Sequence, residues 1–291
     1  MNFRDLAYFH QLNQVLSFTQ VAKNFSVSQP TITQSVKRLE RYFNTELLIR
    51  NPHTNGVQLT PAGRQLSQTA EEILTVWERN RAVIARMTAD SLLIGIEPTI
   101  GEQYLLKIVS ALQANGLFQH VRFVEAGSLV LDQKLAVGEV DAIITGEVER
   151  EENPVEDRLV PIHFRLLASV NHPLVRQRSV TVKDTLGFPI VTKSANFLNH
   201  KIFARLYARQ EPQVLFESDN AHVVLDAVAS NVALGFLADL IKLPDTVVPL
   251  HISDAQLPHV WLTLRYRSDR QPTHLANQIM DVIKKAVREN D

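Results

Sequence analysis

The sequence predicts an α+β multidomain fold: a winged helix-turn-helix at the N-terminus, a long linker helix, and a C-terminal α/β region of two lobes. Three observations predict it. Residues 21–40, VAKNFSVSQPTITQSVKRLE, read as a short amphipathic helix, a tight turn, and a second helix whose outer face is small and polar. From Pro61 to about Thr88 the only glycine is Gly63 in the first turn, and apolar residues recur at alternating spacings of four and three. From Ser91 onward, β-type runs alternate with helical stretches. The expected boundaries are 1–60 for the head, 61–90 for the linker helix and 91–291 for the α/β region. Within the last, lobe I is expected at about 91–164 plus 267–291 and lobe II at about 165–266.

In the head, Phe3, Leu6, Phe9 and Leu12 fall on one stripe of a first helix. Ser17 is a good N-cap for a second, with Val21, Ala22 and Phe25 turned inward. Ser26-Val27 makes the turn, Ser28 caps the third helix, and Pro30 sits in its first turn, where a missing N–H costs little. Ile32, Val36, Leu39 and Phe43 form its buried face. Its opposite face presents Gln29, Thr31, Thr33, Gln34, Lys37 and Arg38. Glutamine can pair bidentately with adenine, threonine methyls can meet the thymine methyl, and Lys or Arg can reach guanine or phosphate. A single helix with this face reads first as a solvated surface; the preceding helix and turn reverse that and make it a candidate DNA reader. Leu47–Ile49 and Val57–Leu59 flank Asn55-Gly56, a hairpin signal, so a wing should follow, with Arg50 and His53 placed for phosphate.

Charge is distributed to match. Residues 1–60 carry six lysines and arginines against three acids, although the whole chain is at -1. Phosphate attraction is local to the docking face, so the regional excess is the relevant one. The absence of cysteine excludes disulfides, thiolate metal sites and cysteine nucleophiles. The N-terminus lacks the layout of an export signal, and the apolar run at 227–238 is too short to span a bilayer, so the expectation is a cytoplasmic protein with no membrane partner. No glycine-rich phosphate loop, nucleophile elbow or metalloprotease helix motif is present; an enzyme is not expected, nor a cofactor or metal.

The linker helix would run to ~40 Å. Its seam of Leu66, Ala70, Ile73, Trp77, Asn80, Ile84 and Met87 predicts a dimer, with Asn80 setting register. Two heads would then read one palindromic site in double-stranded DNA. In the α/β region, strands are expected at Leu92–Glu97, Val121–Glu125, Val140–Thr145, Leu166–Val170, Phe188–Thr192, Val214–Phe216 and Val232–Phe236. Helices fall between, near 102–114, 129–137, 197–209 and 221–230. Ligands of open α/β sheets bind beyond the carboxyl ends of strands, at helix N-termini. The groups at those ends are Thr99, Ile100 and Gly101; Ser128; Thr145 and Gly146; and Ser194, Asn196 and Phe197. Taken singly, Thr99 and Ser128 read as caps and Asn196 as a turn. Converging on one cleft, they suit a small carboxylate.

The head resembles the LysR-type transcriptional regulators. The matching residues are Phe9, Ser17-Phe18-Thr19, Ala22, Ser28-Gln29-Pro30, Leu39-Glu40, Leu47, Arg50 and Leu59-Thr60-Pro61-Ala62-Gly63. A looser match continues in Leu135-x-x-Gly138-Glu139-x-Asp141 and His172-Pro173-Leu174. Departures are Gln34, where the family usually has Arg or Lys, a less basic wing, and Asn231. The resemblance implies a periplasmic-binding-protein-like effector domain, pairing of dimers into tetramers, contact with RNA polymerase and control by a small-molecule effector. Within the family the head leans towards regulators of malolactic genes, which implies a dicarboxylate such as malate. The rival readings are a DNA-binding architectural or interaction protein without a ligand, and an α/β enzyme.

Overall fold

The computed structural model describes residues 2–50, 57–88, 91–149, 157–208, 210–269 and 271–289. It divides into two compact units, Met1–Met87 and Thr88–Asp291.

The first unit holds α1 (Phe3–Val15), α2 (Phe18–Asn24), α3 (Gln29–Phe43), the hairpin strands β1 (Leu48–Arg50) and β2 (Val57–Leu59), and α4 (Pro61–Thr88). Its helix starts follow the capping residues. Asn2 and Asp5 form a reciprocal capping box at α1, Ser17 Oγ accepts the Gln20 N–H, and Thr60 Oγ1 accepts the Gly63 N–H at 2.9 Å. Ser28 is an exception. It occupies the N-cap position of α3, yet its hydroxyl lies 2.8 Å from that of Thr31 and caps no backbone N–H. Leu6, Phe9, Leu12, Val21, Ala22, Ile32, Val36 and Leu39 close one core. Phe25 and Phe43, expected inward, are exposed, because each lies at a helix end beyond the last turn that the core covers. Phe25 rests on the edge of Tyr8 instead, with ring centroids 4.7 Å apart. At Gly63 a Cβ would stand 2.1 Å from the Leu47 carbonyl oxygen, so glycine lets the first turn of α4 lie directly on the chain entering the hairpin.

The second unit contains two five-stranded sheets. The first has the order β4-β3-β5-β12-β6, from β3 (Leu92–Ile96), β4 (Val121–Glu125), β5 (Ala142–Val148), β6 (Arg158–Ile162) and β12 (Val260–Tyr266). The second has the order β11-β7-β10-β8-β9, from β7 (Phe164–Ser169), β8 (Ile190–Thr192), β9 (Val214–Glu217), β10 (Leu234–Ala238) and β11 (Val247–Leu250). In each sheet four strands run one way and a single strand, β12 in the first and β7 in the second, runs against them. The crossover helices α5 (Pro98–Ala114), α6 (Ser128–Ala136), α8 (Leu198–Leu206) and α9 (Ala221–Ala229) fall close to their expected places. A short α7 (Val182–Thr185) and a long α10 (His274–Arg288) complete the set, and α10 packs on α5.

One boundary changes. The chain leaves the first sheet at His163, close to the expected 164, and β12 already pairs with β5 from Val260 to Tyr266. The return crossing therefore runs through residues 251–259, and 260–266 belong to lobe I rather than lobe II. Among the described residues no helix is long and apolar enough to cross a membrane.

Candidate nucleic-acid interface and ligand cleft

On α3, Gln29, Pro30, Gln34 and Lys37 stand exposed, with Ser28 beside them, while Thr31 and Thr33 are half-buried. These residues share the face opposite Ile32, Val36 and Leu39, which puts amide, hydroxyl, methyl and ammonium groups on one accessible surface.

Arg38 is placed differently. Its guanidinium forks onto Asp5 of α1, with Nη2 2.5 Å from Oδ1 and Nε 3.2 Å from Oδ2. Ser35 Oγ donates to the same carboxylate at 2.5 Å, and the Asn2 N–H donates to it at 2.9 Å. Asp5 is completely buried, and an unpartnered charge there would be costly. Burial alone pushes its carboxyl up, but the hydrogen bonds from Arg38, Ser35 and the Asn2 N–H outweigh this and hold it below the usual carboxylate value. Arg38 thus fixes α3 against α1, a role beyond the base or phosphate contact expected of it. The sequence signal for this was available in Asp5 and Ser35, two polar groups on otherwise inward faces.

The hairpin pairs Leu48 with Leu59 and Arg50 with Val57. His53 and the Arg50 side chain lie outside the described residues. Along α4 the expected seam splits. Leu66 and Ala70 are buried in the head's own core, so they are not free to meet a partner. Ile73, Trp77 and Ile84 are exposed, Trp77 by 55%, and Val76 joins them. Phe3 packs on the Trp77 ring at 4.8 Å, extending the apolar patch across α1. Asn80 is exposed and donates Nδ2–H to the Val76 carbonyl at 2.8 Å. Met87 ends the series on α4, and its side chain lies outside the described residues.

In the second unit, a small cavity of about 40 Å³ lies between the lobes. Thr99, Ile100, Ser128, Gly146 and Phe197 of the expected set line it. Its floor is an ion pair that sequence reasoning missed. Lys193, the residue after β8, donates from Nζ to Glu97 Oε1 at 2.9 Å and to Thr99 Oγ1 at 2.8 Å. The ammonium also sits 3.9 Å from the centre of the Phe197 ring. Both charged side chains are buried. Glu97 in turn caps α5, its Oε2 accepting the Ile100 N–H at 3.2 Å. Lys193 occupies the strand end where ligand groups were sought; what hid it was the expectation that lysine is a surface residue.

The lobes also meet directly, helix N-terminus to helix N-terminus. The Leu198 N–H at the start of α8 donates to Ser128 Oγ at 2.7 Å, and the Leu129 N–H of α6 donates to the Asn196 carbonyl at 3.0 Å. Gly127 makes this approach feasible, since a Cβ there would lie 2.4 Å from the Asn196 carbonyl oxygen. Asn196 therefore contributes its backbone to the interlock and does not line the cavity. Three other expected residues also lie off it. Gly101 faces Glu125, where a Cβ would be 2.9 Å from Oε1. Thr145 is buried, with Oγ1 accepting from Arg265 at 3.1 Å. Ser194 Oγ is committed to Asp219. Outside the cavity, a recess of about 320 Å³ is bounded by Thr99, Glu102, Lys193, Asp219 and His222, with His222 Nε2 3.1 Å from Glu102 Oε2 across the lobes.

Comparison with known proteins accounts for both units. Residues 3–64 match the family model of the bacterial regulatory helix-turn-helix protein, lysR family, and residues 85–288 match that of the LysR substrate binding domain. The chain is 31% identical over 270 residues to the malolactic fermentation system transcriptional activator of Lactococcus lactis subsp. lactis, covering 89% of this chain and 91% of that one. In fold it is similar to a point variant of full-length OxyR from Pseudomonas aeruginosa, with a TM-score of 0.53 and 20% identity over 99% of this chain and 100% of that one. It is likewise similar to DarR of Vibrio fischeri, solved in complex with DNA, with a TM-score of 0.58 and 13% identity over 98% and 99% of the two chains.

Proposed function

The chain belongs to the LysR family of bacterial transcriptional regulators, and on that premise we propose that it is a cytoplasmic regulator controlled by a small carboxylate bound between its lobes. Two copies, paired along α4, present two α3 helices to the half-sites of a palindromic operator, about one helical turn or a multiple apart. Dimers pair further into tetramers, and the DNA-bound assembly acts on RNA polymerase. Gln29, Thr31, Thr33 and Gln34 read base edges, Lys37 reads phosphate, and Ser28, Pro30, Arg50 and His53 complete the contact.

The observation that carries the effector reading is the Lys193–Glu97 pair. The cleft already binds one carboxylate, its own, through an ammonium and the Thr99 hydroxyl. A ligand carboxylate competes for the same donors. It gains access when the lobes part, because about 40 Å³ holds little beyond water. A ligand that binds one arrangement of the lobes better than the other then shifts the lobe equilibrium, and with it the DNA geometry the assembly tolerates.

Charge balance favours a ligand with a single carboxylate and neutral hydroxyls. Glu97, Glu102 and Asp219 already oppose Lys193 in the cleft and its outer recess. A dicarboxylate such as malate is the second reading, favoured by the likeness to the malolactic activator.

The two parts are tested separately. Gln29→Ala should weaken binding to the operator by ~1–3 kcal/mol and leave random DNA unaffected, whereas Lys37→Ala should weaken both and flatten the salt slope. Equal losses from Gln29→Ala on both DNAs would contradict base reading. Calorimetry with lactate, malate and succinate should give a binding heat that Lys193→Met removes while operator affinity without ligand is kept. No heat from any of the three acids would refute the carboxylate.

A further inference from the structure

The two crossings between the sheets differ in length. Ile162 pairs with Val260 and Leu166 pairs with Leu250, so outbound only His163, Phe164 and Arg165 bridge the gap. The return uses the nine residues 251–259 over the same gap. Two strands anchored at both ends with three residues against nine must part. Between them lies a hollow of about 320 Å³.

The short crossing alternates its side chains, as a strand does. Ile162 and Phe164 are buried and also wall the ligand cleft, whereas His163 and Arg165 are exposed along the hollow. One step past each anchoring pair, Arg165 comes opposite His251 and His163 comes opposite His259, and opposite residues of antiparallel strands share a face. All four line the hollow, together with Gln256 and Trp261, and among the described residues no aspartate or glutamate lines it. Two carboxylates that touch this wall are already engaged. Asp239 Oδ2 is 3.0 Å from His163 Nδ1, and Glu149 accepts from Trp261 Nε1 at 2.9 Å. Arg165 has no ion-pair partner among the described residues.

We infer that this hollow is a second ligand site, for a small organic anion carrying one carboxylate on an apolar or aromatic body. The Arg165 guanidinium suits a carboxylate bidentately. His251 and His259 can donate beside it, while Ile252, Leu257 and the Trp261 ring offer surface to the body. The volume is in the range of pockets that enclose such molecules. Because the wall strand is shared, an occupant here bears on the backbone that carries Ile162 and Phe164 into the cleft.

Calorimetry of the full chain with sodium phenylacetate tests the inference. The expected result is one-to-one binding that survives Lys193→Met and weakens at least tenfold in Arg165→Gln. His251→Gln, expected to weaken it severalfold, serves as the second variant should Arg165→Gln lower the unfolding temperature. Absence of binding at millimolar phenylacetate would overturn the site. So would loss in Lys193→Met with retention in Arg165→Gln, which assigns the heat to the cleft. Phosphate binding as tightly as phenylacetate would overturn the ligand class.

Discussion

At Asp5 a buried carboxylate ties three segments together: the entry to α1 through Asn2, and the middle of α3 through Ser35 and Arg38. Replacing it with asparagine leaves the Arg38 guanidinium without its counter-charge. Breaking a fully buried pair costs about 3–5 kcal/mol, but Arg38 is 39% exposed and solvent screens part of that, so Asp5→Asn should cost the head about 2 kcal/mol. Urea unfolding followed by Trp77 fluorescence, with Trp261 replaced by phenylalanine, isolates the head, since the chain has two tryptophans. The pH dependence has a definite sign. The folded-state value of Asp5 is depressed, so its contribution is complete above the unfolded carboxylate value and is lost as pH falls through the folded one. Head stability should therefore decline on acidification in the wild type and less so in Asp5→Asn; parallel declines in the two proteins would dismiss this role for the carboxylate.

Among the elements, the interlock between the start of α6 and the start of α8 makes the sharpest demand on sequence. Gly127→Ala forces a Cβ against the Asn196 carbonyl and should cost the second unit ~1–3 kcal/mol, read by Trp261 fluorescence in a Trp77→Phe background. An unchanged unfolding midpoint would mean that the lobes part there at no cost. Elements with local signatures were legible in advance. The starts of α2 and α4 were written in Ser17 and Thr60-Pro61, and the hairpin in two short apolar runs. What escaped was set by distant partners. Lys193 meets Glu97 across 96 residues and Arg38 meets Asp5 across 33, and no window the length of one helix or strand contains both members of either pair. The strands β6, β11 and β12 escaped as well. Pro161 and Pro249 blur the first two, and β12 takes its lobe from β5, far upstream. Five of the nine expected cleft residues line the cavity, because most strand ends and helix starts are local features. Gly101 sits in such a helix start too but lies under Glu125, and Thr145 falls inside β5, which runs on to Val148, with its hydroxyl taken by Arg265.

For the whole molecule, the exposed row of Ile73, Val76, Trp77 and Ile84 is the feature a second copy would cover. Trp77→Glu should yield monomers in sedimentation at micromolar concentration and weaken operators with two half-sites far more than a single half-site. Dimers that persist in this variant would move the interface elsewhere. The return of the chain to its first sheet has another consequence, one of timing. Thr263 of β12 bonds to Thr145 of β5 across 118 residues, and α10, which covers α5, follows later still. At the pace of translation β5 waits on the order of ten seconds with one edge open. Lobe II, contained within that interval, can fold first. A nascent chain stalled before Val260 would therefore carry a complete second lobe beside a first lobe with a bare apolar strand, the species most exposed to aggregation and to chaperone capture.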